Sequence, residues 1–164
     1  VGILGRKEAV ASERAEAINK RGGQAIALVA DVLSADQLQE AKGKMLSHFG
    51  TINGLVNAAR GKHAGRCAAT SGGHLPHEHG RHAKGDGSEP LGSLAAHAGF
   101  GEAMAKKSGS IVNISSMNSK RAITKVLGYN MGKAVDCYTQ WFAVELANRY
   151  GDKIRMNALA PGFF

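Results

Sequence analysis

Short apolar runs alternate along the chain with stretches of helical spacing. Residues 1–4 form an apolar run that stops at Gly5 and predicts a buried strand. Residues 7–21 follow as a helix, with Val10, Ala17 and Ile18 on one face and Gly22-Gly23 as its stop. Residues 25–30 predict a second buried strand. Ser34 and Gln37 fit a capping box for the next helix. Its buried face is Leu38, Ala41, Met45, Leu46 and Phe49, and Gly50 closes it. Residues 52–57 read as a third strand. Strand–helix–strand–helix–strand is the pattern of a parallel sheet with helices on both faces.

The pattern resumes later. Residues 104–107 look like the end of a helix, and 111–115 like a strand. A long helix is predicted over 128–149, with Val135, Tyr138, Phe142 and Leu146 on one face. Residues 154–160 predict a last strand, stopped by Pro161-Gly162. Between the halves, residues 60–99 contain no Val, Ile, Met, Phe, Tyr or Trp. They hold six of the seven histidines, nine of the 22 glycines and two of the three prolines. Burial in so polar a segment cannot offset its ordering entropy, which predicts a disordered insert.

Composition narrows the class. A chain of 164 residues can form one domain with a real core, and 43% apolar with 21% charged residues fits a soluble globular protein. No run of about 18 apolar residues is present, so no membrane span is predicted. The first residues do not read as a signal peptide; they open on an apolar run without an initiator Met, which predicts residues upstream. Cys67 and Cys137 suggest no disulfide framework, so a reducing, cytoplasmic setting is expected. Of the net charge of +8, most falls in residues 100–164, with nine Lys/Arg against four Asp/Glu. The basic residues form no stripe with interleaved aromatics, so nucleic acid is not an expected partner.

The chemistry sits in "YNMGK". Tyr129 and Lys133 are four apart on a predicted helix and share a face. A neighbouring ammonium favours the phenolate, bringing a phenol of ordinary pKa about 10 within reach of acid/base work near neutrality. Ser116, at the end of "SIVNISS", lies 13 residues earlier and offers a hydroxyl to orient a substrate oxygen. By itself the spacing is also met by chance on exposed helices.

In context the sequence resembles the short-chain dehydrogenase/reductase family. The matching pieces are "VGILGR", "ADV", "LVNAA", "SIVNISS", "YNMGK" and "NALAPG", in that order. "NISSMN", "YTQWFAVELA" and "NALAPGFF" look most like the branch of D-mannonate (fructuronate) oxidoreductase-like sugar-acid reductases. The resemblance implies a Rossmann-like doubly wound α/β fold and NAD(P)-dependent reduction of a ketone or oxidation of a secondary alcohol. It implies that Tyr129 exchanges the proton and Lys133 lowers its pKa and binds the nicotinamide ribose. Ser116 would hold the substrate oxygen. Asp31 and Val32 would lie against the adenine, Asn57-Ala58 would border the cofactor, and Pro161-Gly162 would lie by the nicotinamide. Arg6 sits where an acidic residue would select the ribose 2′-hydroxyl, so NADP is favoured over NAD, although a solvated surface Arg reads the same way. Among Lys120, Arg121 and Lys125, which border the implied pocket, Lys125 is the preferred partner for a substrate carboxylate; a solvated basic loop is the alternative. Relatives commonly pair through the Tyr-bearing helix as homo-oligomers, but the residue missing after Lys133 and the missing neighbouring helix count against that pairing in this chain.

The family pattern also breaks. The first strand and its glycine-rich turn, which would cradle the pyrophosphate, are not in the sequence, so an incomplete dinucleotide-binding domain over 1–164 is expected. One small residue is missing after Lys133, and one deletion turns the rest of a helix by about 100°. Residues 60–99 should carry the helix with the family's catalytic Asn. In "HEHGRHAKGDGSEPLG" every His is followed by a residue whose codon begins with G, so a one-base shift can turn His codons into Met codons. Read that way, the segment can give Met-Asn-Met-Glu-Gly-Met-Gln-Lys-Val-Met-Asp-Leu-Asn-Leu-Trp-Gly, which resembles the missing helix. Residues 60 to about 98 are therefore expected to be out of frame, and the chain impaired. The rival readings are a non-catalytic fragment, and metal binding by His74, His77, His79 and His82; no rigid element supports the latter, and no metal is expected.

Overall fold

β1 (Gly2–Gly5) leads into α1 (Glu8–Asn19), β2 (Ile26–Val29), α2 (Ala35–Phe49) and β3 (Gly54–Asn57). After helical residues at 100–101 and 103–105 come β4 (Gly109–Ile114), a 3₁₀ turn (Met117–Ser119), α3 (Val135–Tyr150) and β5 (Ile154–Leu159). This computed structural model describes residues 1–58, 100–101, 103–105, 107–121 and 135–162. The predicted 60–99 insert therefore lies outside the described residues, as do Lys125, Tyr129 and Lys133.

Every strand pairing is parallel. β1 pairs with β2 from Gly2↔Ile26 to Gly5↔Val29. β4 lies between β3 and β5, with Asn57 opposite Asn113 and Ile114 opposite Leu159. The parallel, helix-flanked arrangement is the one expected, but among the described residues it forms two sheets, β1–β2 and β3–β4–β5. The division falls where the first strand of a doubly wound sheet would lie. One apolar cluster still runs through both. It joins Leu28, Ala30, Leu38, Ala41 and Ile52 to Phe100, Met104, Ile111, Leu146, Ile154 and Met156.

The caps explain the element ends. Ser34 Oγ accepts from Gln37 N, and Gln37 Oε1 accepts from Asp31 N rather than from the cap residue itself. The box thus reaches back into the loop after β2 and holds it. Gly50 ends α2 at φ 72°, a left-handed conformation that favours glycine. Gly109 opens β4 under the fully buried Met104, and a Cβ there would strike that side chain.

The packing face of α1 differs from the expected one. Ala11 and Ala15 are buried, Ile18 is half-buried, and Val10 and Ala17 are exposed. Two alanines four apart let the helix lie close on β1 and β2, so the smallest stripe turns inward rather than the most apolar one. On α2, Leu38 and Ala41 are buried as expected, while Met45, Leu46 and Phe49 are only half-buried. On α3, Val135 and Leu146 are buried and Tyr138 and Phe142 half-buried, but the deepest position between them is a polar one, Thr139.

Candidate active site

Most of the described candidate residues sit just past the carboxyl end of a strand, and Asn57 is the last residue of β3; this is where ligands bind in parallel α/β sheets. Arg6 follows β1, and Asp31 and Val32 follow β2. Arg6 Nη1 lies 3.8 Å from Asp31 Oδ2, with the two side chains 51% and 37% exposed. Asp31 Oδ1 also accepts from Leu33 N at 3.0 Å, so its loop is fixed, while among the described residues Arg6 is held by Asp31 alone. The expected adenine-side residue and the expected 2′-phosphate cation are thus partners of one another.

On the other sheet, Ser116 follows β4 and is 7% exposed. Its Oγ accepts from Asn118 N at 3.3 Å, capping the short 3₁₀ turn. A hydroxyl that accepts there keeps its own hydrogen to donate, and among the described residues Ser116 shows no acceptor for it. Met117 N donates to Pro161 O at 3.2 Å, and Ser115 N donates to Leu159 O at 2.8 Å. These bonds bring Ser116 beside Pro161. Asn57 is half-buried at the end of β3, and Ala58 beyond it is exposed.

Sequence reasoning missed what holds Ser116 in place. Ser119 shares its hydroxyl hydrogen between the Ser116 carbonyl at 2.8 Å and Asp136 Oδ2 at 2.5 Å. Lys120 Nζ lies 3.8 Å from the same carboxylate. Asp136, in the first described turn of α3, therefore clasps the turn that follows Ser116. Lys120 serves that clasp, so one of the three cations assigned to the pocket border has a structural partner. The available signal was an Asp inside the predicted 128–149 helix, which is too common to single out.

Tyr138 has a different environment from that expected of Tyr129. It stacks on Phe142 with ring centroids 5.4 Å apart, and burial pushes its phenol up to about 12. It stays protonated near neutrality and cannot act as the acid/base group. Among the described residues no group of His, Cys, Asp and Glu could hold a metal ion; the four clustered histidines lie outside them. No helix among the described residues is long and apolar enough to cross a membrane.

A family model described as enoyl-(acyl carrier protein) reductase matches residues 1–164. Uncharacterized oxidoreductase UxuB of Bacillus subtilis is 32% identical over 174 aligned residues, covering all of this chain and 62% of that protein. The chain belongs to the short-chain dehydrogenase/reductase family. That family consists of oxidoreductase enzymes. A Haemophilus influenzae oxidoreductase is 31% identical, over 99% of this chain and 60% of its own length. Among solved structures, a Haemophilus influenzae protein proposed to be a D-mannonate oxidoreductase, with bound NAD, superposes at a TM-score of 0.85. It is 29% identical and covers 99% of this chain and 61% of its own. A gluconate 5-dehydrogenase from Burkholderia cenocepacia, in complex with NADP and tartrate, superposes at 0.78 with 27% identity, over 99% and 61% of the two chains. This short-chain dehydrogenase/reductase thus spans about three fifths of the length of the relatives it matches.

Proposed function

We propose that the protein is an NAD(P)-dependent oxidoreductase that interconverts a ketone and a secondary alcohol on a sugar acid. The observation that carries this is Ser116. It is buried at the carboxyl end of β4, stitched to Pro161 through Met117, and among the described residues nothing takes its hydroxyl hydrogen, which can go to a substrate oxygen. Tyr129 exchanges the proton with that oxygen, and Lys133 holds the phenol toward its ionised form. When bound, the nicotinamide supplies or accepts the hydride. Residues present suit the ring-bearing ends of such a cofactor, while the glycine-rich turn for its pyrophosphate is not among them. Leu33, Val56 and Leu159 are left exposed toward the carboxyl ends of β2, β3 and β5, apolar surface suited to flat rings. Arg6, half-exposed and 3.8 Å from Asp31, can turn a guanidinium to a 2′-phosphate, which supports NADP over NAD. Lys125 pairs with the substrate carboxylate. Kinship with a protein proposed to act on D-mannonate, and with a gluconate 5-dehydrogenase, supports the sugar-acid class. Pairing of two copies through α3 is supported by Trp141 and Val144, both 63% exposed and three residues apart on that helix.

Residues 60–99 are an out-of-frame stretch in this reading, and the catalytic Asn helix belongs in their place. The test is a fresh read of the coding DNA across codons 57–101, with an assay of NADH and NADPH oxidation on ketonic sugar acids. A restored frame should bring turnover that Tyr129→Phe and Ser116→Ala each lower by about 100-fold or more. The sequence as it stands should turn over far more slowly. Brisk turnover from the unaltered chain would overturn the frame error, and turnover indifferent to Tyr129→Phe would overturn the mechanism.

A further inference from the structure

A chain of side-chain hydrogen bonds, buried at Asn113 and Thr139, crosses from the β3–β4–β5 sheet to α3. Thr139 Oγ1 donates its one hydrogen to Val135 O at 2.7 Å. Its lone pair then accepts from Asn113 Nδ2 at 2.8 Å. That fixes the Asn113 amide with Oδ1 toward β3, where Asn57 Nδ2 donates to it at 2.8 Å. The two Asn residues are direct register partners in the parallel pair β3–β4. Asn113 is 0% exposed and Thr139 4% exposed.

Along β4, Asn113 stands in an apolar run. It follows Ile111 on the same face of β4, and its chain neighbours are Val112 and Ile114. A valine or isoleucine would fill that place without the cost of desolvating an amide. The amide instead links two points that the proposed reaction needs in register. One is Asn57, which borders the cofactor. The other is Val135, two residues after Lys133 in sequence.

We propose that Asn113 and Thr139 are positioning residues, which lock the cofactor-bordering end of β3 to the first described turn of α3 so that strand end and helix move as one unit. The significance of the two ends rests on the function proposed above; the mechanical link does not.

Amide hydrogen exchange, resolved by peptide, tests the link. Thr139→Val keeps the side-chain shape and removes the hydroxyl, Thr139→Ser keeps the hydroxyl, and Asn57→Ala cuts the relay from its other end. Thr139→Val should speed exchange about fivefold in residues 54–57 as well as in 135–140. Thr139→Ser should return residues 54–57 to the parental rate. Asn57→Ala should speed exchange in 135–140, because coupling between two sites is reciprocal. A Thr139→Val protein that loosens only α3 would overturn the link, as would a Thr139→Ser protein that behaves like Thr139→Val. Should Thr139→Val fail to fold, Asn57→Ala decides by itself, and unchanged exchange in 135–140 then refutes the proposal. None of these readings depends on turnover, so an inactive Tyr129 would sink the proposed reaction and leave this result standing.

Discussion

The two halves of the chain treat polar groups in opposite ways. Over residues 1–58 the buried side chains are all apolar: Ala11, Ala15, Ala25, Leu28, Ala30, Leu38, Ala41 and Ile52. Ion pairs in that half, such as Arg6–Asp31 and Glu40–Lys44, lie on the surface. In the C-terminal half Asn113, Ser115, Ser116, Asn118 and Thr139 are all buried, and among the described residues no other polar side chain is. Burying a polar group is costly unless its bonds are met, so polar burial marks where orientation matters more than cohesion. Here it surrounds Ser116 and the approach to α3. The N-terminal half is a platform, and the C-terminal half aims groups.

Stability should separate the two most strongly. Leu38, 1% exposed, is at the centre of the platform, and Leu38→Ala should cost about 3 kcal/mol through lost burial and a cavity. Asn113→Leu should cost about 1–2 kcal/mol, although Asn113 is buried as deeply. Thr139 keeps its bond to Val135, and half-buried Asn57 can turn to water. Urea denaturation measures both. An Asn113→Leu protein as unstable as Leu38→Ala would mean that the buried amide serves cohesion, and the contrast would fail.

Tyr138 gives a smaller and pH-limited effect. Below pH about 10 its phenol is protonated in both the folded and the unfolded chain. As pH rises from there through about 12 the unfolded chain loses the proton first, because burial raises the folded value. Stability therefore falls over that window, and Tyr138→Phe should remove that part of the fall while changing little near neutrality. Urea midpoints of the parent and the variant, followed into the alkaline range, check this. Parallel alkaline profiles would mean that the phenol reaches water.

Much of the fold was legible because its signals are local. Four-residue apolar runs, the Ser34–Gln37 cap and Gly50 each fix an element within a few residues of themselves. The facing of α1 was not, since Val10 is the more apolar choice and only contact with a neighbouring sheet shows that Ala11 and Ala15 fit closer. At the site, the motif order singled out Ser116 and Pro161-Gly162 separately, and the backbone bond from Met117 to Pro161 that joins them leaves no mark in the sequence. Asn113 and Thr139 were passed over, 26 residues apart in sequence. An Asn between Val112 and Ile114 is the trace they left, but a sequence shows the oddity of a buried amide without showing what it bonds to.

Arg6 offers the smallest effect on stability and a sharp test of the platform. Its pair with Asp31 spans 3.8 Å between side chains that are 51% and 37% exposed. Exposed pairs of this kind contribute about 0–1 kcal/mol, and salt screens them. Arg6→Ala should therefore shift the urea midpoint barely at all, and any shift should vanish at high salt. Its effect should appear in ligand preference instead, with weaker binding of adenosine 2′-phosphate and unchanged binding of adenosine, measured by calorimetry. The reason is that Asp31 is held by Leu33 N and Gln37 whether or not Arg6 is there. The guanidinium is an addition to a loop already fixed. A destabilisation well above 1 kcal/mol that persists in salt would show that the N-terminal half, too, depends on an oriented polar group.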